Sequence, residues 1–198
     1  MTDSLLLLFF ALLAYLAGSI PSGFLVAKAR GVDIRQVGSG NIGGTNVTRA
    51  LGMKWGAVVG VLDFIKSYIP SFLALRFLRV DWQVLLISIM PVIGHVYPVW
   101  LKFKGGKGVA TIFGILTAYF GLIFFLVWFV IWYLAVKFIK LMSLVNLLMA
   151  LIFPLLFWLK FHSLLFTAFG FLLTILVWWS HRSNIKRLLA GNENLANY

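Results

Sequence analysis

VATIFGILTAYFGLIFFLVWFVIWYLAV, residues 109–136, crosses a membrane either once or twice, and the number of helices in the chain turns on which. Its 28 residues carry no charge, and Gly121 lies near the middle. One helix of that length overshoots a bilayer core, which takes about 20 residues, whereas two helices bent at Gly121 are each short. The flanking charges choose between them. If the run crosses twice, one side of the membrane collects Lys28, Arg30, Arg35, Arg49, Lys54, Lys102, Lys104, Lys107, Lys137, Lys140, Arg182, Lys186 and Arg187. The other side keeps Arg76, Arg79 and Lys160. Thirteen against three is the asymmetry that the positive-inside rule predicts. A single crossing puts Lys137 and Lys140 on the wrong side and exports the basic tail.

Outward from this run the chain keeps the same character. It is 62% hydrophobic and 11% charged over 198 residues, with a mean hydropathy of +1.02, which excludes an ordinary soluble domain. Further apolar spans cover residues 4–29, 55–77, 84–101, 141–159 and 164–179. The expected fold is an all-α integral membrane protein of seven transmembrane helices, two of them short, with residues 1–198 as a single domain. Its amino terminus lies outside and its carboxyl terminus in the cytoplasm. The first span is not a cleavable signal, because no basic region precedes it and the apolar run is long. Cysteine is absent, which removes disulfides and thiolate catalysis. His95, His162 and His181 are scattered and only five acidic side chains exist, so neither a metal site nor a cofactor is expected. The formal charge of +12 sits beside apolar spans, pointing to anionic lipid and an anionic substrate rather than nucleic acid.

This topology gathers three polar patches on the cytoplasmic face: residues 31–54, 94–108 and 181–193. The second ends in Lys102-Phe-Lys-Gly-Gly-Lys-Gly-Val109, where glycines allow close approach of backbone N–H groups and lysines supply mobile charge. Two readings stay open, a phosphate-binding loop and a basic turn anchoring helices at lipid headgroups. A nucleotide P-loop is excluded, since no Ser or Thr follows Lys107. Asp63 and Lys66 are i,i+3 inside an apolar span, either a functional pair or one that fixes helix packing. Ser39, Asn41, Asn46 and Asn184 can hydrogen-bond hydroxyls or a developing oxyanion, and Arg49, Lys104, Lys107, Arg182 and Arg187 can clamp phosphate oxygens. Gly-x-Ser-x-Gly is absent, and no nucleophilic triad is suggested.

The order Gly18-Ser-Ile-Pro21, Gly38-Ser-Gly-Asn-Ile-Gly-Gly-Thr-Asn-Val-Thr-Arg49, Asp63-Phe-Ile-Lys66, Gly94-His-Val-Tyr-Pro98, Phe103-Lys-Gly-Gly-Lys-Gly-Val-Ala-Thr111 and His181-Arg-Ser-Asn-Ile-Lys-Arg-Leu188 resembles the bacterial acyl-phosphate-dependent glycerol-3-phosphate acyltransferases, the PlsY family. The resemblance runs from about residue 18 to Glu193. It implies an enzyme of the bacterial inner membrane, facing the cytoplasm, that moves an acyl group from acyl phosphate to the 1-hydroxyl of glycerol 3-phosphate. Lysophosphatidate and inorganic phosphate are the implied products, in the first step of phospholipid synthesis. It further implies activity roles for Ser39, Arg49, His181 and Asn184, and glycerol-phosphate binding by Lys104, Gly105, Gly106, Lys107 and Gly108. Glu193 is implied in structural integrity, and Asn41, Asn46, Asp63, Lys66, His95 and Ser143 in support. The chain departs from the family pattern at Gly44, at Ser67 after Lys66, and at Lys140, which replaces the first serine of a Tyr-x-Ser-x-x-Ser pattern whose second is Ser143.

Acyl phosphate is a mixed anhydride with an already activated carbonyl, so no covalent enzyme intermediate is required. The protein's task is to hold two anions together. No His is followed five residues later by Asp, which leaves His181, His95 or a substrate phosphate to take the hydroxyl proton. A transporter for a phosphorylated metabolite is the competing class, because intramembrane charges and basic loops also suit translocation.

Overall fold

Proline, glycine or a left-handed residue marks most of the helix breaks along the chain, and apolar side chains dominate the long elements. The computed structural model describes residues 3–196, and among them all regular structure is helical. Helices α1 (Asp3–Ser19) and α2 (Ser22–Lys28) form one interrupted span. The break falls at Ile20-Pro21, since proline has no N–H for the helical ladder and disfavours helical geometry in the residue before it. A polar segment follows with a 3-10 turn over Ile34–Gln36, then the short α3 (Gly44–Leu51). After α3 come α4 (Met53–Phe77), α5 (Asp81–Val96), a 3-10 turn over Val99–Leu101, and α6 (Val109–Phe120).

The 109–136 run breaks at Gly121, whose φ of 92° is one that few side chains tolerate. Beyond it lie α7 (Leu122–Ile139), α8 (Met142–Ala150), α9 (Phe153–Phe161), α10 (Leu164–Ser180) and α11 (Arg182–Leu189). Among the described residues, five helical stretches are long and apolar enough to cross a bilayer: 4–28, 53–77, 81–101, 122–139 and 142–161. The pair α10 and α11, bent by 62°, makes a sixth if it is counted as one span, while α6 is shorter at 12 residues. The chain is thus an all-helical integral membrane protein. On α7 the buried side chains are Trp128 and Val136, and rows of exposed Leu, Ile, Val and Phe present the rest of that helix as an apolar surface.

The chain divides into two compact units, one up to Tyr119 and the other from Phe120. In the first, α1 packs along α5 at small residues. Gly18 lies against the Pro91 backbone, and a Cβ on Gly94 would come within 2.7 Å of the Ser19 amide. The Tyr15 hydroxyl donates to the Tyr97 carbonyl at 2.8 Å and ties the two helices where α5 ends. The polar segment 31–54 has an apolar core of its own, built from Ala27, Ile34, Ile42, Val47 and Val59, with Phe24, Trp55 and Leu101 packed against it. Burying these side chains fixes a glycine-rich stretch that has little helical drive of its own.

In the second unit α9 and α10 pack through aromatic side chains. The Phe161 and Phe166 rings stack 4.1 Å apart, and Phe157 meets Phe169 edge-on at 5.4 Å. The Thr174 hydroxyl donates to the Ala150 carbonyl at 2.6 Å, satisfying a group exposed where α8 gives way to α9. The Trp132 indole donates to Asn146 Oδ1 at 2.8 Å. Both bonds satisfy polar groups that lipid cannot.

Candidate functional site

Asn46 is the staple of the first polar patch. Its side chain, 1% exposed, donates through Nδ2 to the carbonyls of Ile34 and Val37 at 3.2 and 2.9 Å. Its Oδ1 accepts the Ser39 amide at 3.0 Å. Three bonds from one amide on α3 therefore set the path of residues 34–39, and Gly38 has no room for a side chain beside Asn46 Oδ1. Asn41 closes the turn, accepting the Gly43 amide on Oδ1 at 2.8 Å just before α3 begins. This is the short-range bonding for which Asn is favoured in turns. Ser39 is exposed, and Arg49 projects from the same short helix as Asn46, also exposed. Of the patch's candidates, Ser39 and Arg49 are accessible, while Asn41 and Asn46 hold the scaffold.

At the entry to this patch, Asp33 accepts the Arg35 backbone N–H at 3.1 Å and the guanidinium at 2.9 and 2.8 Å. The side-chain hydrogen bonds from Arg35 hold the Asp33 carboxyl down at about 2, and the carboxylate raises the guanidinium in return.

The lysine-glycine loop folds back onto the end of α5. The Gly105 amide donates to the Val96 carbonyl at 3.1 Å and the Gly106 amide to the His95 carbonyl at 3.0 Å. These two N–H groups satisfy helix-terminal carbonyls and do not point at a ligand, so the glycines serve close packing rather than anion donation. A Cβ on Gly105 would strike the His95 carbonyl, and one on Gly106 would strike the His95 ring. Gly108 has a φ of 80°, and its carbonyl accepts the Thr111 hydroxyl at 2.7 Å and the Ile112 amide at 2.8 Å, starting α6. Lys104 is exposed and Lys107 half-buried. Leu101, just ahead of the loop, packs against the core beneath the Ser39 patch, so both polar segments rest on one foundation.

Under the loop lies the intramembrane charge pair. Lys66 Nζ is 2.8 Å from Asp63 Oδ1 and donates to the Ile20 carbonyl at 2.9 Å. Asp63 is 2% exposed, and His95 Nδ1 approaches the same Oδ1 at 3.5 Å. The pair thus braces the α1–α2 break against α4 and α5. Sequence reasoning identified Asp63, Lys66 and His95 but missed the Ile20 carbonyl, whose only signal was the proline that follows it. Ser67, marked in the sequence only as a departure from the family pattern, is fully buried, donates to the Thr111 carbonyl at 2.6 Å and sits opposite Gly114, whose missing side chain leaves room for the hydroxyl.

In the second unit, His181 and Asn184 are 1% and 3% exposed. His181 Nδ1 lies 2.8 Å from the Val177 carbonyl. A carbonyl only accepts, so Nδ1 carries a proton. Asn184 Nδ2 donates to Glu193 Oε1 at 2.7 Å, and Arg187 Nε to Glu193 Oε2 at 2.8 Å. Glu193 therefore latches the tail onto α11 and occupies Arg187. The Ala196 amide donates to the Lys140 carbonyl at 2.8 Å, extending the tail over the link between α7 and α8. Lys140, in place of the family serine, is exposed with a φ of 59°. The Asn184 Oδ1 and Ser143 Oγ atoms are buried and accept or donate no hydrogen bond among the described residues.

The family model described as glycerol-3-phosphate acyltransferase matches residues 8–191. A glycerol-3-phosphate acyltransferase of Aquifex aeolicus is 44% identical over 94% of this chain and 97% of its own length. One from Bacillus subtilis is 43% identical, covering 92% of this chain and 93% of its own. Among solved structures, PlsY (YgiH), an integral membrane glycerol 3-phosphate acyltransferase, superposes in its glycerol 3-phosphate form with a TM-score of 0.90 at 38% identity, covering 96% of both chains. Its lysophosphatidic acid form gives a TM-score of 0.88 at the same identity, covering 96% of this chain and 95% of that one.

Proposed function

The chain belongs to the glycerol-3-phosphate acyltransferase family, and from that premise we propose that acyl phosphate is the donor from which it acylates the 1-hydroxyl of glycerol 3-phosphate. It is a membrane acyltransferase of phospholipid synthesis. The observation that supports the acceptor half of the reading is the 38% identical PlsY structure in its glycerol 3-phosphate form, matched over 96% of this chain. The hydroxyl oxygen attacks the acyl carbonyl carbon, forming the new ester bond. The bond between that carbon and the bridging phosphate oxygen breaks, and inorganic phosphate leaves. The hydroxyl proton passes to a phosphate oxygen of the substrates, which suits a site short of carboxylates.

The side chains have separable tasks in this reaction. Lys104 and Lys107 hold the glycerol phosphate, with their separation set by the clamped glycines between them. Ser39 and Arg49 are the accessible hydrogen-bonding and cationic groups of the first patch. Asn184 Oδ1, a buried acceptor without a donor among the described residues, suits a substrate hydroxyl. His181, held through Nδ1 at the Val177 carbonyl, is the other buried polar side chain of this segment. Holding two anions in register supplies several kcal/mol of the barrier reduction. The thirteen-to-three distribution of basic residues supports seven crossings, with the amino terminus outside and the lysine loop at the cytoplasmic face of a bacterial inner membrane.

Donor choice is the test. Purified protein in lipid bilayers, supplied with glycerol 3-phosphate, forms lysophosphatidate with acyl phosphate and not with acyl-CoA. Equal rates with acyl-CoA would overturn the donor assignment.

A further inference from the structure

We infer that His95 is a positioning residue for the lysine-glycine loop, acting through Gly106, and that the buried Asp63–Lys66 pair holds it in place. This deepens the reading of the loop as the glycerol-phosphate site and rests on it.

The buried charged cluster of the first unit is not on the loop but directly beneath it. His95 is 6% exposed and touches three things at once. Its carbonyl accepts the Gly106 amide at 3.0 Å. Its ring lies so close to the Gly106 Cα that an added Cβ would come within 2.7 Å of Cε1 and 3.0 Å of Cδ2, and closer still to Nε2. Its Nδ1 faces Asp63 Oδ1 at 3.5 Å. Asp63 is held by Lys66, and Lys66 is anchored on the Ile20 carbonyl at the break between α1 and α2. A continuous line of interactions therefore runs from that helix break to the midpoint of the loop. The loop's freedom is removed at Gly105 and Gly106, the two residues that separate Lys104 from Lys107. Their amides are consumed by α5 carbonyls, so the anion must be held by side chains. The spacing of those side chains is the property that the His95 ring fixes. The same packing removes His95 from the candidates for general base, because Nε2 is turned towards the Gly106 backbone and Nδ1 towards Asp63.

A double-mutant cycle reads this coupling. Gly106→Ala forces the loop off the ring, so the KM for glycerol 3-phosphate rises about tenfold while kcat and the KM for acyl phosphate change less than about threefold. His95→Ala releases the clamp and produces a similar rise. In the His95→Ala background, Gly106→Ala adds less than about twofold, because the ring it would strike is gone. His95→Asn, smaller but polar, gives an intermediate value. Titration of the same full-length variants with inorganic phosphate, followed by calorimetry, repeats the cycle without turnover. That arm separates two failures. A wild type that binds phosphate with the coupled pattern but makes no lysophosphatidate sinks the acyltransfer reading and leaves the positioning role standing. Additive effects in both arms, or a loss of kcat at unchanged KM in His95→Asn, would overturn the positioning role.

Discussion

The Ser39 amide donates to Asn46 Oδ1 at 3.0 Å across seven residues, and the same Asn46 side chain holds two carbonyls of the preceding turn. A family motif that looks like a row of substrate ligands is therefore divided. One residue faces outward and its partner builds the support.

Asn46→Asp keeps the acceptor for Ser39 but removes both donors, leaving the Ile34 and Val37 carbonyls facing a carboxylate. The expected cost is about 2–4 kcal/mol, from two broken hydrogen bonds and the unsatisfied groups left behind. A thermal melt of the detergent-solubilised protein shows it as a lower Tm. An unchanged Tm would mean that the staple is dispensable.

Glu193→Ala strands both Asn184 Nδ2 and Arg187 Nε, whereas Glu193→Gln preserves an acceptor for one of them. The alanine variant should lose about 2–3 kcal/mol and the glutamine variant about half of that. Proteolysis of the tail beyond Leu189 reports the order. Equal sensitivity of the two variants would argue against the latch.

Lys104→Ala and Lys107→Ala should each raise the KM for glycerol 3-phosphate by about 10-fold or more, with a smaller effect on kcat, because a lysine that grips the phosphate equally in the ground and transition states supplies uniform binding. Steady-state kinetics with acyl phosphate saturating is the measurement. Unchanged KM in both returns the loop to a headgroup anchor.

His181→Gln tests the proton route. With a substrate phosphate as acceptor, turnover falls by less than about tenfold and the pH dependence of kcat keeps its shape. Loss of an ionisation from the kcat profile, together with a fall of about a thousandfold, would make His181 the base instead.

The Asp33 carboxyl is held at about 2 by Arg35, below its unfolded value near 3.9. Its contribution to the loop is therefore complete above the unfolded value and is lost as pH falls through about 2. A carbon-13 titration of Asp33 should show the low midpoint, and Arg35→Gln should return it towards the ordinary carboxylate range.

The break at Gly121 was legible because glycine and flanking charge both marked it. The Asp63–Lys66 pair was legible because i,i+3 spacing is a local property. Their third partner, the Ile20 carbonyl, was not, since it lies 46 residues away and any backbone oxygen looks alike in a sequence. The lysine loop shows the limit most sharply. Glycine at 105 and 106 signals close approach, but not to what, and the partner is the end of α5 rather than a phosphate. Likewise Ile34, Ile42 and Val47 are too sparse among glycines and amides to show a periodicity, yet they form the core on which Ser39 rests. Asn41 and Asn46 were identified as hydrogen-bonding residues, and only their geometry shows that they spend those bonds on the backbone.

Acyl transfer from acyl phosphate fixes a stoichiometry that can be measured. Proteoliposomes of the wild-type protein are given acyl phosphate and labelled glycerol 3-phosphate. Each labelled lysophosphatidate formed should be matched by one inorganic phosphate released, with both absent when either substrate is withheld. Labelled glycerol 3-phosphate accumulating unchanged inside the vesicles, with no lysophosphatidate, would contradict the account and favour a transporter.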